Sequence, residues 1–162
     1  MPTLPSSTRV AVTKAMTVEV QVASALNGLP DQTSIVDWAD SVRVMLGTGA
    51  SEVCIRIVDE SEAQTLNARY RQLDKPTNVL SFAADVDTPD LQLLGDIVIC
   101  APVVEREASE QQKSLAHHFA HMVVHGMLHL HGYDHENDEE AEEMENLEAV
   151  VLAGFGIAHP YR

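Results

Sequence analysis

His125 and His129 stand four residues apart, so on a helix their rings project from successive turns toward one point. Gly132 is a natural helix stop, and His135 follows it within a tight turn. Two donors from a helix and a third from the returning chain define three corners of a tetrahedron. The fourth corner is left for water, which is the arrangement of a catalytic rather than a structural zinc site. His131 is too close to His129 to share its helical face, so His135 is the preferred third donor. His118 and His121 are expected beside the site rather than in it. A lone helical histidine is more often a surface residue or a satisfied core residue. The combination H-x3-H-x2-G-x2-H moves the balance to a metal, expected as one Zn2+ per chain.

The same spacing matches the zinc-protease pattern H-E-x-x-H-x-x-G-x-x-H with one difference. The glutamate of that pattern would stand at 126, where this chain has Gly126. Without that carboxylate no side chain in the motif takes a proton from water at the metal, and peptide hydrolysis becomes a distant alternative.

The elements that must position these residues follow from apolar periodicity. Val18, Val20 and Val22 alternate with polar residues between Met16 and Ser24, as a strand does, and Val53, Ile55 and Ile57 repeat the pattern. Ile35, Trp38, Ala39, Val42, Met45 and Leu46 recur at helical spacing, ended by Gly47. Asp59 and Glu62 have the spacing of a capping box, opening a helix that turns Ala63, Leu66 and Tyr70 inward, with Pro76 as its stop. Val79–Phe82 and Ile97–Cys100 read as strands, separated by a polar loop over Asp87–Gln92. After Pro102 the pattern is helical, and Leu115, Phe119, Met122, Val123, Gly126, Met127 and Leu130 fall on one side of the helix that carries the histidines. The expectation is one α+β domain over 16–162, a small mixed sheet packed by helices, with the three-histidine motif on a central helix and the turn after it. Residues 1–15, rich in Pro, Ser and Thr, read as a flexible leader.

Ten basic and 25 acidic residues give a formal charge of −15, which by itself disfavours a nucleic-acid partner. The distribution qualifies that sum. Nine carboxylates fall between Asp134 and Glu148 with no base among them, and seven of the eight histidines fall between His117 and His135. The acidic run reads as a solvated helix face with Met144 and Leu147 packed inward, facing away from any RNA or toward a basic partner. No apolar stretch reaches the ~20 residues of a membrane helix. Cys54 and Cys100 each lie in an apolar stretch, as buried thiols of a reducing cytoplasm do.

HMVVHGMLHLHGYDH, from His121 to His135, resembles the signature of the YbeY family of bacterial zinc-dependent endoribonucleases. Leu66–Arg71 with Asp74–Phe82, Leu94–Ile99 and the acidic Glu139–Met144 are similar too, and they run in the family's order. Ala83 and His131 are small departures, at positions where a proline and an apolar residue are usual. The resemblance implies that His125, His129 and His135 hold zinc and that Arg71 is the functional arginine. It further implies single-stranded RNA as substrate, with roles in 16S rRNA 3′-end maturation and 70S ribosome quality control.

The residue chemistry is compatible with this. Three neutral imidazoles leave zinc its full double charge, and Arg71 could offer a planar pair of donors to phosphoryl oxygens. Read from its own neighbours, Arg71 is a solvated helix-end residue. Arg69 and Lys75 are candidates for backbone contacts, and Asp134 for orienting a ligand histidine or for an ordinary turn. So few cations imply weak, salt-sensitive RNA binding aided by a ribosomal subunit or protein. The alternative from another class is a ribosome-assembly factor whose metal is mainly structural.

Overall fold

Alternation sends Val18, Val20, Val53, Ile55, Ile57, Ile97 and Ile99 to one face of a sheet, where all seven are at most 1% exposed. The computed structural model describes residues 7–12, 16–48, 51–84 and 93–162. In chain order the elements are β1 (Ser7–Val12), β2 (Met16–Ala23), α1 (Gln32–Leu46), β3 (Ser51–Val58) and α2 (Glu60–Arg71). Then come β4 (Val79–Ala83), β5 (Leu93–Cys100), α3 (Ala101–Glu110), α4 (Leu115–Leu130) and α5 (Asp138–Ala153). The strands lie in the order β1-β2-β3-β5-β4. β2, β3 and β5 run parallel, while β1 and β4 pair antiparallel at the two edges. This is the expected single α+β domain with a mixed sheet.

α4 is the central helix. Phe119, Ala120, Val123, Val124, Met127 and Leu128 are fully buried in the larger core, and the helix packs against α1, α3, α5, β4 and β5. A second core on the opposite sheet face joins Val58, Val98 and Cys100 to Leu80, to Ala63 and Leu66 of α2, and to Val103 of α3. Arg56 points to that second face. Only 2% exposed, it donates to both oxygens of Glu62 at 2.6 and 3.0 Å and to Gln21 at 2.9 Å. A charge so deeply placed needs such a full set of partners.

Three expectations are corrected. The stretch 1–15 is not all leader: Ser7–Val12 pairs with β2, from Ser7 opposite Val22 to Val12 opposite Thr17. Thr8, Val10 and Val12 supply strand-forming residues, and the pairing covers what would otherwise be an open edge of β2. Asp59 sits at the N-cap of α2 but makes no capping bond with its side chain. Its carboxylate instead accepts from the Ser24 hydroxyl and from the Ala25 amide at 3.0 Å, while Glu62 is engaged by Arg56. Tertiary partners took both members of the box. Tyr70, expected inward, is 47% exposed. The loop expected at Asp87–Gln92 and residues 1–6 and 13–15 lie outside the described residues. Cys54 and Cys100 are free thiols, the first half-buried and the second buried. Among the described residues no helix is long and apolar enough to cross a membrane.

Candidate metal centre

The histidine helix begins at Ser114, whose side chain accepts from the His117 amide at 3.1 Å. It lies close on the sheet because of Gly126. A Cβ at that position would stand 2.9 Å from Cγ2 of Ile97 on β5. Position 126 therefore faces the sheet, so the carboxylate that the protease pattern places there has no room. The helix ends in paired bonds, Tyr133 amide to Leu128 carbonyl at 3.1 Å and Gly132 amide to His129 carbonyl at 3.0 Å. This is a Schellman closure, and it needs the φ of +96° that Gly132 adopts. The chain is thereby turned back over the last helical turns. Asp134 then accepts from the amide of His135 at 2.8 Å, fixing the bend.

The outcome is convergence. One ring nitrogen from each of His125, His129 and His135 lies within 4.8 Å of the others. Nε2 of His125 and Nε2 of His129 are 3.0 Å apart, and the His135 ring centroid is 5.5 and 5.1 Å from theirs. Two nitrogens bound to one tetrahedral zinc at its usual bond length stand about 3.3 Å apart. Donor type, number and spacing thus fit a divalent ion of the zinc class. Burial, and then the charges of His125 and His135, hold the His129 imidazole below its usual range, in the neutral form that binds metal. His131 does not join them: Nδ1 donates to the Met127 carbonyl at 2.8 Å, and Nε2 is 3.5 Å from the hydroxyl of Thr48.

Behind the three rings lies a carboxylate that sequence reading passed over. Glu148 of α5 is 1% exposed, and its Oε1 accepts from Nδ1 of His125 at 3.1 Å. His121 donates from Nε2 to the other oxygen, and the Tyr161 hydroxyl donates to the same carboxylate at 3.0 Å. Burial pushes the Glu148 carboxyl up, but the hydrogen bonds from His121 and His125 and their charges outweigh it and hold it at about 2. With Nδ1 of His125 committed to Glu148, Nε2 is the nitrogen that presents a lone pair to the other histidines. A carboxylate on the far nitrogen of a ligand imidazole is the usual means of setting its tautomer and orientation. Glu148 was hidden in the acidic run, though it lies four residues after Met144 on the same buried face. His118 is likewise accounted for, 2% exposed and bonded through Nε2 to Glu107 at 2.9 Å, which Asn78 also contacts.

The triad opens onto a cleft of about 390 Å³ lined also by Arg71, Asn78, Ser81 and Asp134. Arg71 reaches it from the last turn of α2 around the edge strand β4. Its guanidinium donates to the Ser81 carbonyl at 2.8 Å and lies 5.3 Å from the Phe82 ring centroid. The loop after α2 is held by Asn67, which is 2% exposed and donates to the Lys75 carbonyl at 2.8 Å. Of the three cations expected near the metal, Arg71 alone lines this cleft; Arg69 lies over Tyr70, and Lys75 is exposed on the loop. Asp134 makes the turn and contacts none of the ligand rings in the hydrogen bonds it forms.

The three histidines, Glu148 and Arg71 all fall within one family match. The model of the family described as Endoribonuclease YbeY matches residues 19–156. The chain is also similar to TM1509 of Thermotoga maritima, known from its solution structure, with 26% identity and a TM-score of 0.56. That alignment covers 85% of this chain and 91% of the other. The family match takes in β3, β4, β5, the histidine helix and all of α5, and the solved structure shares the fold, so the chain belongs to the YbeY endoribonuclease family.

Proposed function

We propose that the protein is a zinc-dependent endoribonuclease that cuts single-stranded RNA, with His125, His129 and His135 as the metal ligands and Arg71 as the residue that holds the scissile phosphate. The single observation that carries this reading is the shared cleft: the three imidazoles and the one guanidinium line the same opening. Bound there, the ion would supply Lewis acidity, polarising a phosphoryl oxygen and making water a stronger acid.

The chain's own residues do the rest. Glu148 keeps Nδ1 of His125 protonated and Nε2 free. Arg71, tethered by one nitrogen to the Ser81 carbonyl, keeps further N–H groups for a phosphate and meets its charge with a planar pair of donors. Such preset donors matter most where negative charge grows during reaction. A peptide substrate finds no carboxylate at position 126, which the Ile97 side chain closes off. We assign the biological substrate to ribosomal RNA precursors, in 16S 3′-end maturation and 70S quality control in the cytoplasm, with ribosomal components delivering RNA to a protein of net charge −15.

The test compares zinc-loaded and chelated protein on labelled single-stranded RNA, with casein alongside. RNA cuts only with metal, and intact casein, are expected. Zinc content of one per chain should fall in His125→Ala and His129→Ala; unchanged content in both would overturn the ligand assignment. Cleavage of neither substrate, with rRNA precursors still accumulating in cells lacking the protein, would favour the assembly-factor role.

A further inference from the structure

Tyr70 lies seven residues after Ala63, at the register of α2 that Ala63 and Leu66 bury in the second core. Yet it is 47% exposed. Its ring meets Phe82 of β4 edge to face, with centroids 5.3 Å apart and planes at 67°. The Arg69 guanidinium is 5.4 Å from the Tyr70 centroid, and that of Arg71 is 5.3 Å from the Phe82 centroid. Tyr70, Arg71 and Phe82 border a cleft of about 570 Å³. Arg71, Ser81 and Ala83 line both this cleft and the one holding the three histidines. The two openings are therefore neighbours across the edge strand β4.

We infer that the Tyr70–Phe82 cleft is a stacking site for an unpaired nucleobase of the RNA strand whose phosphate Arg71 holds. The inference rests on the nuclease reading above and deepens it. A half-exposed ring beside a ring-facing guanidinium is the surface that proteins use to stack single-stranded bases, since every base offers a flat π face. A phosphate suits the cleft poorly. Leu66 and two rings form one part of its wall, and the carboxyl of Asp96, which would repel a phosphate, also lines it. Arg71 thus stands at a division of labour, with the phosphate on the histidine side of β4 and the base on the α2 side. A base in a duplex is already stacked and cannot enter, which makes the site a selector for single strands.

The test uses the purified full-length protein and a single-stranded RNA of about ten nucleotides, within the usual footprint of such sites, carrying 2-aminopurine at each position in turn. Fluorescence anisotropy gives affinity, and quenching of 2-aminopurine reports stacking. Wild type and Tyr70→Phe should bind alike and quench at one position. Tyr70→Ala and Tyr70→Leu should lose the quench and bind roughly tenfold more weakly, as loss of one stacked base implies. Tyr70→Leu keeps an apolar contact with Phe82, so a folding defect cannot imitate the result. An abasic residue at the quenched position should weaken wild type by the same factor and leave Tyr70→Leu unchanged. Equal affinity and equal quench in wild type and Tyr70→Leu would overturn the inference, as would absence of RNA binding by wild type. The two readings separate cleanly. Tyr70-dependent quenching without cleavage sinks the nuclease and leaves the base site, whereas metal-dependent cleavage with an indifferent Tyr70 does the reverse.

Discussion

Glu148 on α5 and His125 on α4 are joined by a 3.1 Å hydrogen bond, Oε1 to Nδ1, that ties the acidic helix to the three-histidine face. The bond sets which nitrogen of His125 faces the cleft. Replacing such a partner of a ligand histidine usually costs about 10–100-fold in metal affinity. Glu148→Gln should show a loss of that size in competition with a fluorescent zinc chelator, with its helical circular dichroism retained. Unaltered affinity would separate Glu148 from the metal centre.

Arg71→Ala should keep its zinc and lose RNA turnover by roughly a hundredfold or more, the usual effect of deleting one preset donor to developing charge. Arg71→Lys should recover little of it, since an ammonium cannot hold the Ser81 carbonyl and a phosphate in one planar fork. The measurement is kcat/KM on single-stranded RNA with metal content assayed in parallel; full turnover in Arg71→Lys would refute the planar-donor role.

Gly126 is set by contact rather than by chemistry. Gly126→Ala places a methyl 2.9 Å from Cγ2 and 3.1 Å from Cδ1 of Ile97. Overpacking typically costs about 1–3 kcal/mol, while alanine returns up to about 1 kcal/mol in helix propensity. A net loss of about 1–2 kcal/mol is expected from urea denaturation. Gly126→Glu, which restores the protease motif on paper, should fail to fold rather than cut casein.

Much of this was legible beforehand, and the misses share a cause. β2, β3 and β5 announce themselves because one face of each is buried, so the alternation of Val18 and Val20, or of Ile97 and Ile99, is directly visible. The three histidines were legible because a helix fixes the angle between His125 and His129, and Gly132 marks the turn to His135. Long-range partners were not. Nothing local says that Asp59 will hold Ser24, that Arg56 will claim Glu62, or that Glu148 will meet His121 and Tyr161. β1 was missed because its stability comes from pairing with β2, and its residues look like a polar leader when taken alone.

His118 gives the metal-free protein a pH dependence. Burial holds its imidazole below the ordinary 6.5 and prevails over the hydrogen bond it donates to Glu107, with Lys113 and His121 also lowering it. The folded state therefore stays neutral where the unfolded chain takes a proton. Its contribution is complete above pH 6.5 and is lost as pH falls from there toward the folded value. In urea denaturation between about pH 7.5 and 5.5, His118→Gln should show a shallower loss of stability, by up to ~1.4 kcal/mol per pH unit. Parallel curves would remove His118 from the balance.

The two thiols should be sluggish. Burial, then the charges of Asp96 and Glu19, pushes Cys54 up to about 12, and burial also raises Cys100. Both are protonated at pH 8, and the thiolate is the reactive form. Titration with a chromogenic disulfide should register almost nothing in the native protein and two thiols in denaturant.

The bond from Arg71 to Ser81 has one more consequence. Among the described strands β4 ends the sheet, and a terminal strand with free carbonyls invites another chain to add to it. Arg71 occupies one of those acceptors and plants a positive charge where an incoming backbone would have to settle. If Arg71 holds the phosphate as proposed, the same cation also guards this edge against self-assembly, and losing it should make the molecule sticky as well as slow.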